Sequence, residues 1–194
     1  VSYHGVKFKT VFLDDIAPSD TQIDKLKYWC RIFHEKNLAP PYEGGSFGNL
    51  SYRLGDSNSF IITGSKIGLK DNLLDEHFVR VESYDRKKYI LNVRGVREPS
   101  SESFLHSAIY TNRKDINAIF HGHCPAILAQ AEKLGLISTK REEPYGTSEL
   151  VDSVLEILGE NNFVIMKNHG FLSLGPTPDE AGEVTIKILK LFFN

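Results

Sequence analysis

The run Ala118-Ile119-Phe120-His121-Gly122-His123-Cys124-Pro125 constrains this chain more than any other stretch. Its short apolar opening, stopped by a proline, reads as a buried strand. Strand side chains alternate between faces, so residues two apart point the same way. His121 and His123 therefore emerge side by side near the end of a strand, spaced to grip one ion from one direction. A metal needs at least one further ligand from elsewhere, and Glu102 and His169 are the candidates.

The chain around that strand has 194 residues, of which 41% are hydrophobic, which suits one domain (1–194) with a substantial core. Net charge is −2 and no long basic run occurs, so nucleic acid is not an expected partner. No apolar stretch approaches the roughly 20 residues needed to span a bilayer, so no membrane helix is expected. VSYHGVKFKTVF at the start lacks the apolar core of a secretory signal. The two cysteines, Cys30 and Cys124, make no disulfide framework, and a reducing cytoplasm is the expected location.

Periodicity and turn residues divide the rest of the chain. Residues 6–13 form a leading strand. Ser19 or Asp20 caps a helix to about Asn37, with Ile23, Leu26, Trp29, Cys30 and Phe33 on one face. Two strands, Asn49 to Leu54 and Phe60 to Thr63, join across Gly55-Asp56-Ser57-Asn58. A second hairpin pairs Phe78 to Glu82 with Lys88 to Val93 across Tyr84-Asp85-Arg86. Pro99-Ser100-Ser101 opens a helix from about Glu102 to Asn112, and the histidine strand is followed by a helix to about Leu134. Thr147 or Ser148 caps a helix through Leu158. Strands at Phe163 to Lys167 and Phe171 to Leu174 flank Asn168-His169-Gly170, and Thr177-Pro178-Asp179-Glu180 starts a helix to Phe193. Interleaved strands and helices without a linker predict an α/β domain with a mostly antiparallel central sheet and helices on both faces.

Three imidazoles and a carboxylate suit zinc or a similar divalent ion. Glu102 falls in the first turn of its helix, and His169 precedes a glycine at a turn between strands. His106 lies four residues after Glu102 on the same helix face and could chelate with it; it is expected instead to pack or hydrogen-bond behind the site. Cys124 points away from His123 and is left out of the ligand set. His4, His34 and His77 are expected at the surface. Histidine also serves as a half-buried hydrogen-bonding residue, and a lone H-x-H is more often incidental than a ligand pair. A second constellation is small and polar: Gly48-Asn49, Thr63-Gly64-Ser65 and Ser100-Ser101. Backbone N–H groups at glycine turns, hydroxyls and a helix start make an anion cradle, although each piece alone would serve equally as a turn or cap. Their order decides the reading, because Ser100-Ser101 runs directly into Glu102. An anion held there sits one short substrate away from the ion.

In this order the motifs resemble the class II aldolase/adducin family: G-N-x-S-x-R (Gly48, Asn49, Ser51, Arg53), T-G (Thr63, Gly64), S-S-E (Ser100, Ser101, Glu102), H-x-H (His121, His123) and N-H-G (Asn168, His169, Gly170). The segment Pro144-Tyr145-Gly146-Thr147-Ser148-Glu149-Leu150 matches as well. The resemblance implies that His121, His123 and His169 bind a divalent ion, Zn2+ or alternatively Mn2+ or Co2+. Glu102 would be both ligand and acid/base group. Gly48, Asn49, Thr63, Gly64, Ser100 and Ser101 would hold a substrate phosphate, with Gly64-Ser65 an alternative to Thr63-Gly64. The implied activity is lysis of a small phosphorylated ketose, in which a cation stabilises an enediolate. The same scaffold also supports 4-epimerisation, dehydration or decarboxylation of sugar phosphates, and adducin heads use it without chemistry. A homotetramer is implied too. The aldolase tyrosines have no evident match, and a group from a neighbouring subunit would replace them, with Tyr28, Tyr42, Tyr52, Tyr84, Tyr89, Tyr110 and Tyr145 all candidate donors.

Overall fold

Ten strands and five helices are built from residues 5–191, the residues described in the computed structural model of the protein. The strands are β1 (Lys9–Asp14), β2 (Pro41–Tyr42), β3 (Gly45–Ser46), β4 (Asn49–Arg53), β5 (Phe60–Thr63), β6 (Phe78–Asp85), β7 (Ile90–Arg94), β8 (Ala118–Gly122), β9 (Phe163–Met166) and β10 (Gly170–Gly175). The helices are α1 (Ile23–Glu35), α2 (Ser103–Asn112), α3 (Pro125–Gln130), α4 (Ser148–Leu158) and α5 (Pro178–Lys190). Eight strands make one sheet in the order β1-β7-β6-β5-β4-β8-β10-β9, and β2 with β3 forms a separate ribbon. Within the sheet only β1 with β7 runs parallel.

Alternation along the strands divides the core in two. Ile119, Leu172 and Leu174 face a cluster with Phe104, Leu105 and Ala108 of α2 and Leu150, Val151 and Val154 of α4. Ala118, Phe120 and Phe171 face the other way, into a cluster with Leu26, Trp29 and Phe33 of α1, Ile127 of α3 and Ala181 of α5. Both faces of the middle strands are therefore apolar, and helices cover each: a three-layer α/β domain. The same parity turns His121 toward α2, which begins beside Glu102.

Several boundaries differ from the sequence expectation for local reasons. The helix after the histidine strand stops at Gln130, and the chain closes through turns to Gly135, whose φ is +64°. α1 starts at Ile23 because the Asp20 carboxylate accepts from the Gln22 N–H in a preceding turn. The second hairpin extends to Asp85 and resumes at Ile90, so its turn lies later than expected, with Tyr89 at φ +57°. Glu102 is the residue before α2 rather than part of its first turn, held there by the Ser103 N–H donating to the Ser100 carbonyl at 3.0 Å. His4 and the end of the last helix expected at Phe193 lie outside the described residues.

Candidate active site

Three adjacent strands set the floor of the site. Asn49 of β4 and Leu172 of β10 lie opposite His121 on either side of β8, so pairing register alone fixes the His121 backbone. Beyond Gly122 the chain leaves the sheet, and the His123 N–H donates to the Leu38 carbonyl at 2.8 Å. His169 comes from the β9–β10 turn, where Asn168 takes φ +56° and the His169 N–H donates to the Met166 carbonyl. Gly170 then passes so close to β8 that a Cβ there would lie 2.5 Å from the Gly122 carbonyl oxygen and 2.6 Å from the His121 ring. Only glycine lets the turn deliver His169 against His121.

The side chains meet. Nitrogens of His121, His123 and His169 all lie within 4.8 Å of one another. The Glu102 carboxylate, 2% exposed, puts Oε2 3.1 Å from His121 Nε2 and Oε1 3.2 Å from His169 Nε2. Asn49 Nδ2 donates to Glu102 Oε2 at 2.9 Å and fixes the carboxylate plane. All four ligand candidates are brought together.

Their hydrogen bonds test whether a cation fits. His121 Nδ1 faces the Phe171 carbonyl at 2.9 Å, so Nδ1 carries the proton and Nε2 presents a bare lone pair. That lone pair lies 2.9 Å from His123 Nε2 and close to a carboxylate oxygen. Two acceptors this near repel unless a proton or cation lies between them. Glu102 Oε1 is buried without a hydrogen-bond partner although His169 is beside it. Three imidazoles and a carboxylate crowded this closely are aimed at a shared point, and a divalent ion suits them. Burial drives the His121 pKa down to about 4 and that of His123 to about 2, so both rings are neutral ligands near neutral pH. Burial alone would raise the Glu102 pKa; the surrounding imidazoles and the Asn49 amide outweigh it and hold the carboxyl at about 2.

His106 does lie behind the site. It is wholly buried, with Nδ1 2.7 Å from the Ser51 hydroxyl, which also meets the Tyr110 hydroxyl at 2.7 Å. Cys124 packs on the α1 side, away from the imidazoles. Among the expected surface histidines, His34 and His77 are half-buried, and His77 Nδ1 accepts from the Leu74 N–H.

A cavity of about 770 Å³ opens over the imidazoles. Of the expected anion cradle, Gly48, Asn49, Gly64, Ser100 and Ser101 line it, joined by Ser65. Thr63 is not among the lining residues: its hydroxyl is buried and accepts from the Leu50 N–H at 3.3 Å, while its carbonyl accepts from the Ser100 N–H. Of the candidate tyrosines, Tyr42 and Tyr145 reach the cavity; Tyr52 donates to Asp20, and Tyr110 is fully buried.

Sequence reasoning missed several cavity residues. Phe47 stacks on the His123 ring at 4.7 Å between centroids. Lys7, Lys66, Glu142 and Glu143 form the outer wall, with Asn168 Nδ2 donating to Glu142 at 2.9 Å. Lys66 is non-glycine at φ +52°, immediately after Gly64-Ser65, and the G-S-K turn was the one available signal.

Comparison with known proteins identifies the family. Residues 24–192 match the family described as Class II Aldolase and Adducin N-terminal domain. An L-fuculose phosphate aldolase of Methanococcus maripaludis strain S2 is 31% identical over 166 residues, covering 78% of this chain and 83% of that protein. A 5-methylthioribulose-1-phosphate/5-deoxyribulose-1-phosphate aldolase of Rhodospirillum rubrum is 27% identical over 167 residues, 76% of this chain and 69% of the relative. A solved L-fuculose 1-phosphate aldolase superposes with a TM-score of 0.68 at 25% identity, covering 92% of this chain and 87% of the other. The converging imidazoles set this chain apart from a scaffold that has lost its ligands. The chain belongs to the class II aldolase and adducin family, as an aldolase-type lyase.

Proposed function

We propose that the protein cleaves a small phosphorylated ketose of the L-fuculose 1-phosphate type by a retro-aldol reaction. The observation that carries this reading is the meeting of Glu102, His121, His123 and His169 at the floor of a cavity whose rim is polar and glycine-rich. His121, His123 and His169 hold a divalent ion, Zn2+ in the first instance, with Glu102 a fourth ligand before substrate enters. Such an ion supplies Lewis-acid stabilisation of negative charge on substrate oxygens.

The chain's own residues do the rest. Gly48, Asn49, Gly64, Ser100 and Ser101, with Ser65, bind the phosphate through N–H and hydroxyl donors, and Lys7 and Lys66 add positive charge at the mouth. Carbon–carbon cleavage requires a proton to leave the hydroxyl of the departing aldehyde and a proton to reach carbon in the remaining fragment. Glu102, ionised at rest and oriented by Asn49, is placed to take up the proton that the departing hydroxyl gives up and to deliver it to the carbon of the remaining fragment. Glu142, held by Asn168, and Tyr145, under the Lys7 ammonium, also line the cavity and are the groups offered for the proton on the leaving aldehyde's oxygen. The working form is a cytoplasmic homotetramer.

The test is a coupled assay on ketose 1-phosphates with the metal-loaded protein. Release of dihydroxyacetone phosphate is the expected result. An epimerised or dehydrated sugar phosphate with no triose phosphate would reassign the chain to another reaction of the same scaffold.

A further inference from the structure

Lys70 is the one lysine placed in the core: it is 1% exposed, and among the described residues it makes no ion pair. Its buried neighbour Cys30 offers no countercharge, because burial pushes that thiol up to about 12. A buried ammonium without a carboxylate is costly, and its retention calls for a role. All of its hydrogen bonds go to one segment. Nζ donates to the Ser46 hydroxyl at 2.7 Å, the Ser46 carbonyl at 3.2 Å and the Phe47 carbonyl at 3.0 Å. The Ser46 hydroxyl passes its own proton on to the Gly68 carbonyl at 2.8 Å. The ammonium thus ties the end of β3 to the loop after Lys66.

What that segment carries is Phe47. His121 is oriented by the hydrogen bond from its Nδ1 to Phe171, as metal-binding imidazoles usually are. His123 has no such bond at Nδ1 among the described residues; its ring is held by the stack of Phe47, 4.7 Å between centroids and 26° from parallel. Phe47 is in turn backed by Tyr42, at 4.8 Å. Gly48 follows at φ +74°, where a Cβ would lie 2.7 Å from the His121 carbonyl, so the segment packs directly on the histidine strand.

We infer that Lys70 is a positioning residue: its buried ammonium pins Ser46 and Phe47 and so holds the Phe47 ring on His123, doing for that ligand what the Phe171 carbonyl does for His121. This rests on the reading of the imidazoles as metal ligands.

The test uses the full chain freed of metal, with two readouts. Hydrogen exchange of residues 45–49 reports the clamp without metal, and titration with Co2+ alone reports its consequence through affinity and visible spectrum. Lys70→Met keeps the stem and removes the charge. It is expected to speed exchange at 45–49 selectively and to weaken Co2+ binding about tenfold with an altered spectrum. Phe47→Leu is expected to reproduce the Co2+ change while leaving the Lys70 hydrogen bonds in place. Unchanged exchange at 45–49, or wild-type Co2+ affinity and spectrum in folded Lys70→Met, overturns the inference. Should Lys70→Met not fold, Ser46→Ala, which removes the shortest of the acceptors, decides: faster exchange with weaker Co2+ binding supports the clamp, and wild-type behaviour overturns it. A wild-type protein that takes up no Co2+ overturns the metal reading instead, and the exchange data still judge the clamp.

Discussion

The two walls of the cavity are built differently. The inner wall carries Glu102, His121, His123 and His169, set at a strand end, a helix start and a three-residue turn, each anchored on or beside the regular elements. The outer wall carries Lys7, Lys66, Glu142 and Tyr145, which lie on connections between elements, with all but Tyr145 exposed. A rigid frame holds charge where the chemistry needs it, and loops vary what enters. The difference predicts that damage to the inner wall abolishes function, whereas damage to the outer wall shifts affinity.

The largest effects should follow from removing a ligand. His121→Ala or His123→Ala leaves two imidazoles and is expected to weaken metal binding more than about 100-fold, read by Co2+ titration. Retention of stoichiometric, tight metal by either variant would break the comparison, because the inner wall would then be dispensable. Glu102→Gln comes next. It keeps three imidazoles and the shape of the side chain but cannot take a proton. Turnover should fall about 100- to 10,000-fold while most metal is retained. An active Glu102→Gln protein would remove that residue from the chemistry.

The inner wall was also the part legible in the sequence, and the reason is physical. H-x-H at a strand end sets His121 by parity and leaves His123 one step past the strand beside it, and S-S-E or N-H-G announces a helix start or a turn through its own small residues. The outer wall depends on where loops return. Nothing near Phe47 says that it will stack on His123, and Lys70 looks like any lysine in a polar loop until Ser46 and Phe47 close over it. Thr63 shows the converse. Its place in a T-G motif suggested a ligand contact, but β5 turns its hydroxyl inward to the Leu50 N–H and leaves Gly64 and Ser65 to face the cavity. The parallel β1–β7 pairing was equally invisible, since it joins strands more than 70 residues apart with no local turn to mark it.

A smaller effect separates the walls by pH. In the metal-free protein, burial lowers the pKa values of His106 to about 3, His121 to about 4 and His123 to about 2, against an ordinary value of 6.5. Below 6.5 the unfolded chain takes up protons at these positions and the folded chain does not. Stability is therefore full above pH 6.5 and falls as pH drops toward 4, on the order of 1 kcal/mol per imidazole per pH unit. Glu102, held at about 2, adds its own loss only below its ordinary value of 4.5. Denaturant melts of metal-free protein at pH 7 and pH 5 check the sign; equal midpoints would mean that the histidines are open to solvent protons in the fold.

The smallest effect tests the outer wall by itself. Lys66 is exposed and lines the cavity, and its φ of +52° is a region that costs a non-glycine residue about 1 kcal/mol. Lys66→Gly removes both the strain and the charge, whereas Lys66→Ala removes only the charge. Both variants should raise KM for a phosphorylated substrate by about two- to fivefold at low salt, with little change in kcat, because an exposed cation contributes no more than about 1 kcal/mol. Only Lys66→Gly should melt higher than wild type. If the two variants share one melting temperature, the backbone at Lys66 is unstrained. If KM is unmoved in both, the lysine is a bystander at the rim. A drop in kcat or metal affinity in either variant would erase the distinction between the walls, because a loop residue would then be governing the chemistry of the frame.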